Sequence, residues 1–117
     1  MDSAISFGPF RLDAANAALS RGSRHVPLRP KTYAVLQYLA ERPGRLVTKD
    51  DLLDAVWPDI EVADGALKVC VAELRKALGD SAHAPQFIET VHRRGYRFVG
   101  KTGEGIGGQI SMTSDSG

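Results

Sequence analysis

The sequence predicts an α+β domain with short antiparallel strands first, three helices in the middle and a β-hairpin after them. Turn residues interrupt short apolar stretches throughout residues 1–28, which is typical of strands joined by tight turns. Apolar residues then recur at helical spacing in three segments between residues 30 and 78. Residues 87–99 are rich in β-branched and aromatic side chains around one basic turn, which predicts the hairpin.

Length and composition fit one globular domain. The chain has 117 residues, of which 43% are hydrophobic and 25% are charged. No stretch approaches the roughly 20 apolar residues that a membrane span requires, and no secretory signal is visible. The one cysteine, Cys70, excludes an internal disulfide and a cysteine-based zinc site, so we expect a reducing, cytoplasmic location.

The strands of residues 1–28 should form an antiparallel meander. Gly8 and Pro9 separate the apolar residues Phe7 and Phe10, and further turn residues follow along the segment. Such a sheet has one apolar face, so a second layer of structure must cover it.

The first two helices are short and have recognisable ends. The first should run from Pro30, which suits the first helical position, to about residue 42. The second should begin after Thr48, because Thr48 and Asp51 resemble a capping box with Asp in place of Glu. Pro58 should end the second helix, and a short loop follows at residues 58–62.

The third helix has the clearest pattern and should run from about Asp64 to Leu78, with Gly79 as its C-terminal cap. Four apolar residues fall on one narrow face, which we expect to be core: Leu67, Val71, Leu74 and Leu78. Cys70 lies beside this face and should be a small buried group. The opposite arc holds Gly65, Lys68, Val69, Ala72, Glu73, Arg75 and Lys76.

The predicted hairpin has strands at residues 87–91 and 96–99 and a basic tip between them. Gly95 ends the tip, and we expect it there because glycine tolerates a positive φ. Residues 101–117 are rich in Gly and Ser, and we interpret them as a flexible tail or linker after a domain at residues 1–100.

The second and third helices, joined by a short loop, resemble a helix-turn-helix, and a third helix followed at once by a hairpin is the pattern of a winged helix. A helix that packs through one face can place its other face in the DNA major groove. The net charge is only +1, yet residues 68–97 hold six Lys or Arg against three Asp or Glu. The basic excess therefore falls in the two elements that would touch DNA.

The sequence resembles the DNA-binding effector domain of OmpR/PhoB-type winged-helix transcriptional regulators, and within it the CadC- and ToxR-like branch. The resemblance covers residues 5 to about 100, and it lies in the order and spacing of several motifs. These motifs are FGPFRLD at 7–13, LRPK at 28–31, LQYLA at 36–40 with PG at 43–44, DLLDAVWPD at 51–59, ELRKALGD at 73–80 and IETVHRRGYRF at 88–98.

The resemblance implies a four-stranded antiparallel N-terminal sheet, three helices and a C-terminal hairpin, the wing. It implies that the third helix enters the major groove of double-stranded DNA and that the wing contacts the adjacent backbone and minor groove. It also implies an RNA polymerase contact for the loop at residues 58–62, and tandem or homodimeric binding to direct repeats. The positions that it assigns to the DNA interface are Trp57, Lys68, Ala72, Glu73, Arg75, Lys76, Thr90, His92, Arg93 and Arg94.

The chain departs from the family pattern at Ala72 and Glu73, where relatives often carry Arg or another polar donor. Ala72 could meet a thymine methyl, and Glu73 could accept from cytosine N4 although it would repel phosphate. Other assignments have plain structural alternatives. Trp57 could be a core residue with one exposed edge, Arg75 could pair with Asp64 or Glu73, and the two arginines of the hairpin tip could simply be solvated.

Nothing in the sequence predicts catalysis. The three histidines, His25, His83 and His92, are far apart and lack supporting ligands, so we expect no metal site and no cofactor. No nucleophile motif, paired carboxylates or phosphate-binding glycine loop is present, so we expect no enzyme activity.

Two functions stay open from the residues alone: a DNA-binding module, and a winged-helix module that binds proteins and has weak DNA affinity. The helix–hairpin pair and its basic excess make DNA binding the leading hypothesis, whereas near-neutral charge and Glu73 motivate the second. The chain shows no receiver domain with a phosphorylatable aspartate, so it is either followed by a further domain or acts alone. The DNA target, the signal, activation versus repression and the oligomeric state are not specified by the sequence.

Overall fold

The computed structural model describes residues 4–104, which form two antiparallel sheets and three helices. The helices are α1 (Pro30–Ala40), α2 (Lys49–Val56) and α3 (Asp64–Leu78). The strands are β1 (Ala4–Phe7), β2 (Phe10–Asp13), β3 (Ala18–Arg21), β4 (Arg24–Val26), β5 (Leu46–Thr48), β6 (Ile88–Val91), β7 (Gly95–Phe98) and β8 (Thr102–Glu104). The predicted α+β order of strands, three helices and a hairpin is confirmed.

The N-terminal sheet has five strands in the order β4-β3-β2-β1-β8. The four consecutive strands are the expected meander, and β8 pairs antiparallel with β1, so that Thr102 lies opposite Phe7. The interpretation of residues 101–117 as a flexible tail is therefore wrong for residues 102–104. Residues 102–104 have no alternation of apolar and polar residues that would predict a strand. Residues 105–117 lie outside the described residues.

The core lies between the inner face of this sheet and the helices. A row of apolar residues crosses the sheet, formed by Ile5, Leu12, Leu19 and Val26. Aromatic rings then connect the sheet to the hairpin, because the ring centroid of Phe7 lies 5.5 Å from that of Phe87 and 5.1 Å from that of Phe98. The hairpin is thus packed into the same core as the helices.

Side chains at the helix ends explain where each helix begins and stops. The Thr48 side chain accepts a hydrogen bond from the Asp51 N–H at 3.1 Å, which confirms the predicted start of α2. α1 ends at Ala40, about two residues earlier than expected, and the Arg42 guanidinium donates to the Tyr38 carbonyl at 3.0 Å. Gly79 ends α3 with a left-handed φ of 69°.

The second sheet has three strands in the order β5-β7-β6. β5 is too short to be seen in the sequence, yet it lies directly beside β7. The expectation that Gly95 has a positive φ is wrong, because it is Arg93 that adopts a left-handed φ of 65°. Gly95 is required for a different reason: a Cβ there would collide with the backbone of Val47 and Thr48 in β5.

We predict that Gly95→Ala destabilises the domain by more than about 3 kcal/mol, because the added methyl group meets backbone that cannot move independently. Gly65→Ala is the matched control, since nothing lies within 4 Å of a Cβ at that helical position. That control should keep or slightly raise the free energy of unfolding. Urea unfolding followed by circular dichroism measures both variants, and equal stabilities would contradict the close approach of β5.

Candidate nucleic-acid interface

α3 packs through one face and exposes the other. Leu67, Val71, Leu74 and Leu78 are buried as expected, and Cys70 is buried beside them. The exposed arc includes Lys68, Val69, Ala72 and Lys76. Val69 is 51% exposed, so a branched apolar side chain projects from the protruding face of the helix. The sequence pattern placed Val69 on this arc but gave no reason to select it.

Arg75 joins α3 to the hairpin. Its Nη2 donates to the Ile88 carbonyl at 2.9 Å and to Thr90 Oγ1 at 2.7 Å, so one guanidinium holds the first strand of the hairpin against the helix. The guanidinium thus turns towards β6, and the ion pair with Glu73 that the sequence left open is not formed among the described side chains. This contact fixes the angle at which the hairpin stands beside the exposed face of α3.

The tip of the hairpin is tied to the start of α2. The Arg94 N–H donates to the Val91 carbonyl at 2.9 Å within the turn, and the Arg94 carbonyl accepts from the Lys49 N–H at 3.2 Å. Lys49 therefore lies next to the tip. Lys49 was not among the predicted site residues. The sequence does carry one indication of it, because a lysine in the first turn of a helix is unfavourable for the helix dipole.

The basic side chains around the tip line two neighbouring surface pockets. One, of about 300 Å³, lies between α3 and the hairpin, and its polar lining residues include Lys49, Lys68, Thr90, His92 and Arg93. The other, of about 390 Å³, is lined by Lys49, Asp50, Arg93 and Arg94 among others. We call Lys49, Lys68, Arg93 and Arg94 the wing cluster. None of these four cations forms an ion pair within the described part of the chain.

Glu73 faces α1 rather than the exposed arc. It forms a two-pronged ion pair with Arg29, at 2.8 and 3.1 Å, and its Oε1 also accepts from Thr32 Oγ1 at 2.6 Å. The hydrogen bond from Thr32 lowers the pKa of Glu73 below its ordinary value, against a smaller opposing effect of burial, and Arg29 lowers it further. Both carboxylate oxygens thus already have partners inside the domain.

Asp80 anchors the segment between α3 and the hairpin. Its carboxylate accepts hydrogen bonds from four backbone N–H groups at 2.7 to 3.1 Å, those of Ser81, Gln86, Phe87 and Ile88. Partial burial raises the pKa of Asp80, but these four hydrogen bonds outweigh burial and leave the pKa below its ordinary value. Asp80 therefore fixes where the first strand of the hairpin begins.

The third acid of residues 68–97 is also internally paired, because Glu89 binds Arg97 across the hairpin at 3.0 Å. The three acidic residues of this segment, Glu73, Asp80 and Glu89, are thus all held by neighbours. Among the described side chains, the four cations of the wing cluster meet no such partner. The positive charge of the segment is therefore concentrated at the wing cluster, away from these acids.

The remaining predicted residues lie elsewhere on the surface. Trp57 is half-buried at the end of α2, on a groove that it shares with Val69 of α3. Lys76 lines a separate depression with Arg29 and Glu73, near the other end of α3. The structure thus gathers Lys68, Thr90, His92 and both tip arginines, and leaves Trp57 and Lys76 apart from them.

Within the described residues, no group of three or more His, Cys, Asp or Glu side chains is placed to hold a metal ion. Among the helices so described, none is both long and apolar enough to span a membrane.

A helix-turn-helix pair with a hairpin held against its second helix defines a winged helix, the class of domain to which this fold belongs. The chain belongs to the family described as "Transcriptional regulatory protein, C terminal", which matches residues 23–98. The resemblance to OmpR/PhoB-type effector domains is therefore confirmed.

Similar proteins agree with this assignment. The transcriptional regulator HilA of Salmonella typhi is 43% identical over 84 residues, which is 71% of this chain and 15% of HilA. The DNA-binding domain of Klebsiella pneumoniae RstA, solved in complex with the RstA box, is 31% identical with a TM-score of 0.73, over 83% of this chain and 97% of that one. The DNA-binding domain of Escherichia coli CadC is 26% identical with a TM-score of 0.75, over 86% and 95%. The chain thus spans only a small part of the length of HilA.

We predict that Asp80→Asn lowers the free energy of unfolding by about 2–3 kcal/mol at pH 7, because an amide cannot accept from all four N–H groups. Because the pKa of Asp80 is lowered in the folded protein, its carboxylate stabilises the fold at pH values above the ordinary Asp pKa of about 4. This stabilisation is lost as the pH falls through the pKa of the folded state. The difference between wild type and Asp80→Asn should therefore shrink at about pH 3.

Urea unfolding at the two pH values measures this effect. Asp59→Asn, a change at an exposed carboxylate in the α2–α3 loop, is the control and should match wild type at both. A destabilisation by Asp80→Asn that stays constant with pH would contradict the role of the charged form.

Proposed function

We propose that this domain binds double-stranded DNA sequence-specifically as part of a bacterial transcription regulator, with α3 in the major groove and the hairpin on the adjacent backbone and minor groove. The observation that carries the proposal is the wing cluster, four cations beside the exposed face of α3. The similar RstA domain was solved with its DNA box, which supports the same use here. Access to the chromosome requires the domain to lie in the cytoplasm.

Base readout falls to the exposed arc of α3. Val69 and Ala72 are apolar and suit thymine methyl groups, whereas Lys68 can donate to guanine O6 and N7. Lys76 extends the arc towards the C-terminal end of the helix. Thymine-rich positions in the target are therefore expected where family members with arginine would select guanine.

Backbone contacts fall to the hairpin and the helix ends. Thr90, His92, Arg93 and Arg94 are the hairpin residues that we assign to phosphate or the minor groove, and Lys49 joins them from α2. Trp57 contacts phosphate through its indole N–H. Glu73 and Arg75 act as positioning residues, because their side chains hold α1 and the hairpin against α3.

We predict that charge removal at the tip weakens binding to all sequences and lowers the salt dependence. Arg94→Gln and Arg93→Asn are the test variants, and asparagine is chosen at 93 because it tolerates the left-handed φ found there. Each should reduce the slope of log K against log salt by about 0.9 per lost phosphate contact. Lys68→Gln should instead also change which sequences are preferred.

Fluorescence anisotropy with duplexes enriched from a randomised library, measured at several salt concentrations, tests this division. Arg11→Gln is the matched control, because Arg11 is exposed on the N-terminal sheet, on the face away from the buried Phe10 and Leu12. Binding by wild type that does not respond to salt would contradict the proposed function. Equal effects of Arg94→Gln and Arg11→Gln would contradict the role of the tip.

A second contact, with RNA polymerase, is proposed for the loop at residues 58–62. Ile60 is 61% exposed in this loop and stands between the exposed acids Asp59 and Glu61, a surface suited to a protein rather than to DNA. The same loop would serve the alternative function, a protein-binding winged helix with weak DNA affinity. Tandem or homodimeric binding to direct repeats stays a prediction from the family resemblance.

We predict that Ile60→Ser lowers the affinity for purified bacterial RNA polymerase several-fold and leaves DNA affinity unchanged, because it removes the apolar centre of the loop. Val99→Ser, at another exposed apolar residue, is the control and should bind polymerase like wild type. Surface plasmon resonance measures polymerase binding. Equal binding by wild type and Ile60→Ser would exclude the loop as the contact.

A further inference from the structure

A groove of about 580 Å³ lies on the side of α3 away from the pocket that holds Lys68. Its walls come from three elements: the start of α1, the end of α2 and α3. The lining residues are Arg29, Pro30, Lys31, Trp57, Ala66, Val69 and Cys70. The groove is thus mainly apolar, with two cations on the α1 side.

We propose that this groove binds the sugar-phosphate backbone of the DNA strand that borders the major groove opposite the wing, with Lys31 as its principal phosphate contact. The inference rests on the proposed function and extends it to α1, to which neither the sequence motifs nor the family resemblance assigned any DNA contact. It makes the interface two-sided, with one group of cations on each flank of α3.

Lys31 is held in place before any ligand arrives. Its Nζ donates to the Val56 carbonyl at 2.7 Å and lies 5.9 Å from the centroid of the Trp57 ring. The carbonyl belongs to the last turn of α2, where the helix dipole favours a cation. An ammonium group has three N–H donors, so two stay available after this contact. A phosphate beside Trp57 would therefore meet the Lys31 ammonium group already in position, without rearrangement of the side chain.

Arg29 contributes much less net charge. Its guanidinium is occupied by the two-pronged ion pair with Glu73, so the pair is close to neutral. Lys31 forms no ion pair with any carboxylate whose side chain the structure describes. Removing Lys31 should therefore change the salt dependence of DNA binding, and removing Arg29 should change it little, although the two residues lie two positions apart.

The shape of the groove also fits a backbone segment. The B-DNA major groove is about 12 Å wide, so a helix inside it has a phosphate backbone on each side. Lys68 of α3 faces the pocket shared with the wing, whereas Ala66 and Val69 face this groove. A deoxyribose can pack on the apolar surface of Ala66 and Trp57 while its phosphate reaches Lys31.

Hydroxyl-radical footprinting and salt titration of the 117-residue chain test the proposal, using a duplex enriched by the wild type from a randomised library. Lys31→Gln should bind roughly three- to tenfold more weakly at 0.1 M salt and lower the salt slope by about 0.9. Its footprint should lose protection on one strand only, and Arg94→Gln should lose protection elsewhere. Lys31→Arg should keep the slope, and Arg29→Gln should change the slope little.

A chemical change in the DNA distinguishes loss of the Lys31 contact from misfolding of Lys31→Gln. A methylphosphonate placed at the phosphate that loses protection should weaken binding by wild type and leave binding by Lys31→Gln unchanged. If Lys31→Gln has the slope and footprint of Arg11→Gln, or if the methylphosphonate weakens both proteins equally, the inference is wrong while the wing contacts stand. If wild type binds no duplex with a salt dependence, the proposed function itself fails.

Discussion

The hydrogen bonds from Arg75 to the hairpin are the interaction on which the interface depends. α3 and the hairpin follow one another in the chain, yet each could form without taking a defined angle to the other. One guanidinium that donates to the Ile88 carbonyl and to Thr90 fixes that angle at the first strand. Asp80 fixes where this strand starts, and the close approach at Gly95 fixes the second strand against β5. Three local constraints thus convert two separate elements into one surface.

A nearly neutral protein can present a strongly basic face when its acids are used inside the fold. The chain has a net charge of +1, and this value alone argues against DNA binding. The acids near α3 and the hairpin are each held by a neighbour, Glu73 by Arg29, Asp80 by backbone amides and Glu89 by Arg97. The cations around the tip have no such partner in the described structure. The interaction with a DNA duplex would therefore depend on the local arrangement of the charges and not on the net charge of the chain.

Sequence patterns predicted the parts of the fold that depend on local chemistry. The cap at Thr48, the buried face of α3 and the left-handed residue after it each follow from a few neighbouring side chains, and each is present. β5 and β8 could not be predicted, because three-residue strands are defined by backbone pairing with distant partners. The candidate site divides in the same way. The basic tip was visible as consecutive arginines, whereas the inward turn of Glu73 and the position of Lys49 beside the tip depend on tertiary contacts.

Arg93 supplies a positive charge at the tip of the hairpin, but its left-handed backbone makes the turn less stable. A side chain with a Cβ in that conformation is less stable than glycine by about 1 kcal/mol. Selection for folding alone would favour glycine at this turn, or asparagine, and neither carries a cation. Glycine or asparagine at position 93 would therefore stabilise the turn and remove a cation of the wing cluster, so raising heat resistance at this turn and keeping its positive charge pull in opposite directions.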